Sequence, residues 1–202
     1  MFNEILSLIL PASLIGTVTE RIPALKTLEN LQHAFEGESN ACARYAIFAK
    51  AADGEGFGEI ASLFRATSKA EEIHAANHAR VIREMGEEPT AIIEKTIPRS
   101  TFENLQAAMD GEVHERDTMY PAFIDAAKLE KNGAAVKTFV YALKTEAEHA
   151  RLFADALKNL DSRRGASKKY FVCNHCGYTV EQLNFVACLV CGHSKSDYIP
   201  VI

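Results

Sequence analysis

The most constraining feature of this sequence is a Glu-x-x-His motif that occurs twice, as Glu71 with His74 and as Glu146 with His149. Residues three apart on an α-helix lie on the same face, so each motif would place a carboxylate beside an imidazole. Two such pairs, completed by a glutamate from each of two further helices, form the metal-binding pattern of a di-iron four-helix bundle. A chain built on this pattern needs four long helices and two more glutamates that face inward.

Apolar residues recur at three- and four-residue spacing along four segments, and this spacing predicts four amphipathic helices. The predicted helices begin at about Thr27, Glu59, Ser100 and Ala134. Thr27 is the expected N-cap of the first helix, and Ser100 with Glu103 forms a capping box at the start of the third. Residues 86–99 form a longer connection, which a bundle requires when two of its helices run parallel. The sequence therefore predicts a mainly α fold with a four-helix bundle over residues 27–160 and a crossover connection.

The two halves of the predicted bundle repeat each other. Residues 28–38 match residues 102–112 at an offset of 74, whereas the two Glu-x-x-His motifs match at an offset of 75. One residue has therefore been added between Glu112 and Tyr120, and a helix usually absorbs such an insertion as a π-bulge. Glu115 lies in this stretch and has no acidic counterpart in the first half. We predict that Glu115 is an additional, asymmetric ligand.

The inward face of the predicted bundle carries ionisable residues where apolar residues are expected. They are Glu38, Glu71, His74, Glu112, Glu146 and His149, with Glu115 nearby. Burying even one unpaired carboxylate costs several kcal/mol, so glutamates that converge in a core need compensating charge. Two iron ions would supply it. The alternative is that these glutamates lie on a solvated surface, and the duplication on matched positions argues against that reading.

The C-terminal tail contains two Cys-x-x-Cys knuckles, each followed by glycine. Their cysteines are Cys173, Cys176, Cys188 and Cys191. Four thiolates favour a tetrahedral site for zinc or iron, and the tail has too few other apolar residues to fold without a metal. We therefore predict a linker at residues 161–169, followed by a small four-cysteine domain at residues 170–202. A zinc ribbon that only folds the tail is the alternative.

Composition excludes several other classes of protein. Lys and Arg total 22 against 27 for Asp and Glu, a net charge of −5 that suggests neither a nucleic-acid partner nor an anionic-membrane partner. The clustering of the cysteines predicts a reducing, cytoplasmic setting.

Residues 1–26 lack the basic start of a signal peptide and are expected to form an N-terminal arm. Cys42 is predicted to be a buried, inert thiol, and His78 a satisfied core histidine.

Several stretches resemble the rubrerythrin family, especially its nigerythrin branch, over roughly residues 27–200. They are Phe35-Glu-Gly-Glu-Ser39 with Arg44-Tyr45, Glu71-Glu-Ile-His74, Gly111-Glu-Val-His-Glu115 with Met119-Tyr-Pro121, Glu146-Ala-Glu-His149 and the two knuckles. The resemblance implies a ferritin-like di-iron bundle fused to a rubredoxin-type domain with one iron. It also implies a hydrogen peroxide reductase supplied with electrons by a nicotinamide-dependent reductase.

The resemblance also implies roles for individual residues. The expected iron ligands are Glu38, Glu71, Glu112, Glu115, Glu146 and His149, with Cys173, Cys176, Cys188 and Cys191 in the tail. His74 is expected to exchange with Glu115 as a ligand when one iron changes redox state. Tyr45 and Tyr120 are expected to hydrogen-bond ligand carboxylates. Leu189 stands where the family commonly has proline, so the sequence leaves iron and zinc open for the four-cysteine site.

The resulting hypothesis is a non-haem iron peroxidase of oxidative-stress defence, linked to NADH through a separate protein, because the chain has no nicotinamide-binding motif. A separate reductase or a rubredoxin would donate the electrons. The resemblance predicts a head-to-tail homodimer in which the linker places the four-cysteine domain against the partner's bundle. The alternatives are a ferritin-like iron oxidase or iron buffer, and a structural module with a zinc tail.

Overall fold

A computed structural model describes residues 26–202, so the predicted N-terminal arm lies outside the described residues except for Lys26. The helices are α1 Lys26–Gly54, α2 Gly58–Glu84, α3 Thr101–His114, α4 Tyr120–Leu129 and α5 Gly133–Lys158. The strands are β1 Tyr170–Cys173, β2 Thr179–Val180 and β3 Tyr198–Val201. The predicted fold class, a four-helix bundle followed by a small four-cysteine domain, is confirmed. Within residues 26–202, none of the helices combines the length and the apolarity of a membrane-spanning segment.

The third helix of the bundle runs through α3 and α4 and contains the predicted π-bulge. A π-helical turn at Glu115–Met119 joins the two segments without a break. This turn accommodates the inserted residue that the repeat offsets indicated, and it brings Glu115 to the position where the helix widens. Phe102, in the first turn of this helix, is 53% exposed and lies largely outside the core.

Two apolar layers lie above and below the ionisable residues. One layer contains Tyr45, Phe64 and Phe153, and the other contains Tyr120 and Phe139. The rings within each layer pack 5.5–6.0 Å apart in tilted or edge-on geometry. The glutamates and histidines of the predicted site therefore occupy a polar level enclosed at both ends by apolar packing.

One of the two predicted helix caps is present in the structure, and the other is not. The capping box of Ser100 and Glu103 is present as predicted. Thr27, in contrast, is not an N-cap but lies inside α1, and the Glu130 carboxylate accepts hydrogen bonds from the backbone N–H groups of Lys26 and Thr27. This carboxylate is 103 residues away from Thr27 in the chain, so local sequence could not reveal it.

The crossover connection between α2 and α3 is fastened to the outer face of α1. Side chains of Gln32, Glu36 and Asn40 hydrogen-bond backbone groups between Glu88 and Glu94. These bonds satisfy the polar backbone of a connection that forms no helix or strand.

The four-cysteine domain is a three-stranded antiparallel sheet, in the order β2-β1-β3, that sits on the bundle of its own chain. Tyr170 and Val172 of β1 belong to the apolar core of the bundle. The predicted linker is also fixed, because the Gly165 N–H donates to the Gly56 carbonyl at 3.0 Å and Arg163 pairs with Glu59.

Gly58 has no room for a side chain against the Gly165 carbonyl, which shows how closely the linker follows α2. The placement of the domain corrects our expectation that residues 161–169 carry it to a partner's bundle. Contacts between the linker and α2 hold it on its own bundle instead. The head-to-tail homodimer itself stays a prediction.

Candidate metal centre

Two groups of ligand atoms meet at the centre of the bundle. The first group is Glu38, Glu71, His74 and Glu146, and the second is Glu71, Glu112, Glu146 and His149. Within each group the ligand atoms all lie within 4.8 Å of one another. Glu71 and Glu146 belong to both groups, so their two carboxylates can bridge two metal ions. The six side chains come from α1, α2, α3 and α5, and all are at most 2% exposed.

The two histidines occupy related positions on the two sides of the site. His74 Nδ1 lies 2.9 Å from a carboxylate oxygen of Glu71 and 2.9 Å from one of Glu146. His149 Nδ1 lies 2.9 Å from the other oxygen of Glu146 and 3.2 Å from the other oxygen of Glu71. Each bridging carboxylate therefore turns one oxygen towards each histidine, which is the arrangement that a pair of ions requires.

The state of these polar atoms shows that the site fits metal ions. Among the described residues, eight buried atoms of this cluster lack a hydrogen-bond partner, and they belong to Glu38, Glu71, His74, Glu112, Glu146 and His149. An unsatisfied buried polar group costs about 1–3 kcal/mol, and a charged one costs more. Oxygen and imidazole nitrogen atoms that converge without donors are ligands suited to iron.

Each histidine of the site makes a hydrogen bond through Nε2, the ring nitrogen that faces away from the ligand groups, and this bond determines its tautomer. His74 Nε2 lies 3.0 Å from the Cys176 carbonyl, which can only accept, so Nε2 carries the proton and Nδ1 presents a lone pair. His149 Nε2 lies 3.2 Å from Thr179 Oγ1, whose own proton is donated to the Gly177 carbonyl, so this Nε2 donates as well. Such outer hydrogen bonds orient metal-binding histidines.

Two tyrosines donate hydrogen bonds to carboxylates of the site, as the resemblance implied. The Tyr45 hydroxyl donates to Glu112 Oε1 at 2.6 Å, and the Tyr120 hydroxyl donates to Glu38 Oε1. Burial raises the pKa of both tyrosines well above the ordinary value, and the nearby carboxylates raise it further. Both hydroxyls therefore remain neutral donors, while their catalytic role stays a prediction.

Glu115 lies beside the site but belongs to neither ligand group of the described residues. It borders an open cavity of about 320 Å³ that is also lined by Asn40 and Arg44. Burial raises the pKa of its carboxyl well above the ordinary value, and the charges of Glu38 and Glu112 add to this. With His74 turned inward and Glu115 outside the ligand groups, their exchange as ligands stays a prediction.

The ionisable groups of the site perturb one another strongly. Burial is the main reason why the pKa of Glu146 is raised to about 8; the nearby His74 lowers it in part, and Glu71 raises it. Burial also raises the pKa of Glu71. Burial alone would lower the pKa values of His74 and His149, but the carboxylates around them raise both well above the ordinary value. Glu38 is the exception, because His74 holds its pKa well below the usual range despite burial.

These shifts predict that the metal-free protein loses stability as the pH rises from about 5 to 8. A carboxyl with a raised pKa stabilises the fold fully below its unfolded pKa of about 4.5, and the contribution of Glu146 is lost as the pH approaches about 8. The histidines with raised pKa values act in the same direction above about 6.5. Urea unfolding of chelator-treated protein at several pH values measures the effect. A free energy of unfolding that increases over this range would contradict it.

Glu38 does not reverse this prediction. Its lowered pKa gives stability that is complete above about 4.5 and is lost only at lower pH. Burial lowers the pKa of His78, so this residue alone would make stability increase with pH. Its effect is opposed by several groups whose pKa values are raised. Metal-loaded protein is the control: its carboxylates are neutralised by the ions, so its stability should depend less on pH in this range.

The four cysteines form a second, separate metal site. Sγ of Cys173 lies 3.6 Å from Sγ of Cys191, and Sγ of Cys176 lies 3.6 Å from Sγ of Cys188. Metal–sulfur bonds of about 2.3 Å in a tetrahedron place neighbouring sulfurs about 3.8 Å apart, so the thiols fit one iron or zinc ion. Cys176 faces the bundle, whereas Cys191 is partly exposed.

Sequence reasoning missed the backbone acceptor that orients His74. The Cys176 carbonyl accepts from both His74 and Thr145, and no sequence pattern marks a backbone acceptor. His78 was predicted to be a satisfied core histidine, and it bonds the Tyr120 hydroxyl at 3.1 Å. Cys42 was predicted to be buried but is half-buried, and burial is the main cause of its raised pKa; that this thiol is inert stays a prediction.

Comparison with known proteins agrees with this geometry. The family model described as Rubrerythrin matches residues 29–157. Nigerythrin of Nitratidesulfovibrio vulgaris is 37% identical over 175 residues, which are 85% of this chain and 85% of that protein. Rubrerythrin-2 of Clostridium acetobutylicum is 34% identical over 175 residues, which are 85% of this chain and 95% of that protein.

Solved structures show the same relationship. The structure of fully reduced, all-ferrous nigerythrin matches with a TM-score of 0.80 at 36% identity and covers 86% of each chain. A bacterioferritin of Desulfovibrio desulfuricans matches with a TM-score of 0.63 at 22% identity over 68% of this chain, a likeness of fold alone. The chain therefore belongs to the rubrerythrin family of di-iron oxidative-stress proteins.

Proposed function

We propose that this chain reduces hydrogen peroxide to water at two iron ions held by the central ligand groups, with electrons delivered through an iron held by the four cysteines. The observation that carries the proposal is the hydrogen bond of 3.0 Å between His74 Nε2 and the Cys176 carbonyl. A residue of one metal site thus directly contacts a residue of the other. A zinc ribbon that only folds the tail would not need this contact.

The residues of the chain would supply protons and would hold the ligand carboxylates in position. Bound iron would supply the electrons and Lewis-acid stabilisation of the product oxygens. Burial raises the pKa of the Glu115 carboxyl well above its ordinary value, so this residue is our candidate for the general acid beside the site. Tyr45 and Tyr120 orient the carboxylates of Glu112 and Glu38. The apolar layers on both sides exclude bulk water.

The proposal includes partners that the chain itself does not contain. A separate reductase, linked to NADH, or a rubredoxin would reduce the four-cysteine iron. Such a donor could approach at Cys191, which is partly exposed, and at the nearby Leu189, which is 69% exposed. A head-to-tail homodimer and a cytoplasmic location belong to the same proposal.

A stopped-flow experiment tests the proposed activity. Protein reduced at all its iron sites is mixed with hydrogen peroxide or with dioxygen, and oxidation is followed by absorbance. We expect oxidation by peroxide to be much faster, followed by oxidation of the four-cysteine iron. Oxidation that is no faster with peroxide would count against the proposal. Uptake of many irons per chain would instead favour an iron oxidase or iron buffer.

A further inference from the structure

We propose that Thr138, His78 and Tyr120 form a hydrogen-bonded chain that carries protons from a surface cavity to the metal centre. The inference rests on the proposed function, because peroxide reduction consumes protons: H2O2 + 2 H⁺ + 2 e⁻ → 2 H2O. The electrons come from the reduced metal sites, and the protons must come from solvent. The six ligand side chains are at most 2% exposed, so protons that reach them need a route through the protein.

The route begins at a polar cavity of about 210 Å³ between α2, α5 and the four-cysteine domain. Thr138 forms part of its wall, together with charged or polar side chains that include Arg80, Lys137 and His175. A water molecule takes up about 30 Å³ of liquid volume, so a polar cavity of this size holds several. This cavity is distinct from the one that borders Glu115.

Three side chains connect this cavity to the metal centre. Thr138 Oγ1 lies 3.0 Å from His78 Nδ1, and His78 Nε2 lies 3.1 Å from the Tyr120 hydroxyl. The Tyr120 hydroxyl in turn bonds Glu38 Oε1. Thr138 is 3% exposed, and His78 and Tyr120 are fully buried. The chain of hydrogen bonds therefore crosses the interior of the bundle without a gap.

The direction of each hydrogen bond follows from counting protons. The single hydroxyl proton of Tyr120 goes to Glu38, so the Tyr120 oxygen accepts from His78 Nε2–H. A neutral imidazole has only one N–H, so its Nδ1 carries a lone pair and accepts from the Thr138 hydroxyl. All three donors point from the cavity towards Glu38.

This order allows a proton to enter at one end and another to leave at the other end. Thr138 passes its proton to His78 Nδ1 and takes a new one from a protonated water in the cavity. His78 passes its Nε2 proton to the Tyr120 oxygen, and Tyr120 passes its hydroxyl proton to Glu38 Oε1. One O–H or N–H bond forms for each that breaks, so the three side chains carry no net charge afterwards. His78 is then left protonated at Nδ1, and its proton must return to Nε2 before the second proton passes.

The internal repeat supports a role for His78 beyond packing. The equivalent position in the second half of the bundle is Phe153, which is fully buried among aromatic rings. An apolar ring therefore satisfies packing at this place in the fold. His78 instead has both nitrogens bonded to hydroxyl groups from two other helices.

The test compares two substitutions of Thr138 in the iron-loaded protein. Thr138→Val keeps the shape but removes the hydroxyl, whereas Thr138→Ser keeps the hydroxyl. General acid–base groups contribute about 10²–10⁴-fold to rate, so we expect Thr138→Val to slow single-turnover peroxide reduction at least about tenfold. Thr138→Ser should remain close to the parent. His78→Phe should lower the single-turnover rate as much as Thr138→Val does. The double variant should lower it no further, because both substitutions interrupt the same hydrogen-bonded chain.

A second readout does not depend on activity. In metal-free protein with ¹⁵N-labelled histidine, NMR should show His78 protonated at Nε2 and unprotonated at Nδ1. The opposite tautomer would overturn the proposed direction, and a parent-like rate in Thr138→Val would overturn the route. If the parent chain fails to reduce peroxide, the proposed function fails, and the tautomer still decides whether the hydrogen-bonded chain exists as described.

Discussion

Replacing Gly177 with alanine is expected to push the four-cysteine domain off the metal centre while its own cysteine cluster stays intact. The added Cβ would lie 2.5 Å from His74 Nε2 and 3.1 Å from the Ala70 carbonyl. His74 and Ala70 are buried in α2 and have little freedom to move. Overpacking of this kind costs about 1–3 kcal/mol, so the contact between His74 and Cys176 should be lost.

The second knuckle offers a matched control, Gly192→Ala. Gly177 and Gly192 occupy the same place in their knuckles, with φ of +79° and +78°. Among the described residues no atom lies within 4 Å of a Cβ added at Gly192. Both variants carry the same left-handed backbone strain of about 1–2 kcal/mol, so the difference between them isolates docking of the domain.

Two measurements separate docking from folding of the four-cysteine site. The absorbance of the ferric thiolate site should be the same in both variants. When reduced protein meets peroxide, the four-cysteine iron should be reoxidised much more slowly in Gly177→Ala than in Gly192→Ala. Equal reoxidation rates in the two variants would show that the contact at Gly177 is not needed for electron delivery.

Replacing Glu71 with glutamine is expected to remove both ions of the central site and yet stabilise the metal-free protein. Glu71 belongs to both ligand groups, so its loss affects both ions. In the metal-free protein, its pKa is raised, mainly by burial and then by Glu112, so ionising it disfavours the folded state. Each pKa unit of such a shift corresponds to about 1.4 kcal/mol.

The adjacent Glu72→Gln is the control for this prediction. Glu72 is also on α2, but its side chain is 61% exposed and pairs with Lys69, a contact worth at most about 1 kcal/mol. Metal analysis should give about three ions per chain for Glu72→Gln and about one for Glu71→Gln, since a di-iron site holds two. Urea unfolding at pH 8 should show a gain in metal-free stability for Glu71→Gln alone. Full metal content in Glu71→Gln would contradict its place in both groups.

The central ligands could be predicted from sequence because their spacing follows helix geometry. Glu71 and His74 stand three residues apart. The two offsets of the repeat placed an inserted residue between Glu112 and Tyr120, and the structure has a π-helical turn within that interval. These features depend on local periodicity, which one chain displays directly. The ligand sets follow from the same repeat, because matched positions on matched helices face the same core.

The surroundings of the site could not be predicted in this way. Docking of the four-cysteine domain depends on a carbonyl at Cys176 and on the missing side chain at Gly177. Neither has a sequence signal, and residues 161–169 show no periodicity from which a position could be read. The bond between Thr138 and His78 joins residues 60 positions apart. Such contacts are determined by how whole elements pack, which spacing along one helix does not encode.

The place of Tyr170 and Val172 in the core of the bundle has a consequence for folding. The strand that supplies Cys173 also supplies part of the apolar interior on which α1, α2 and α5 pack. Thiolate coordination and helix packing are therefore thermodynamically linked, since each stabilises the same strand. We therefore expect the two metal sites to unfold as one cooperative unit, in which filling the cysteine site also stabilises the helices that hold the carboxylates.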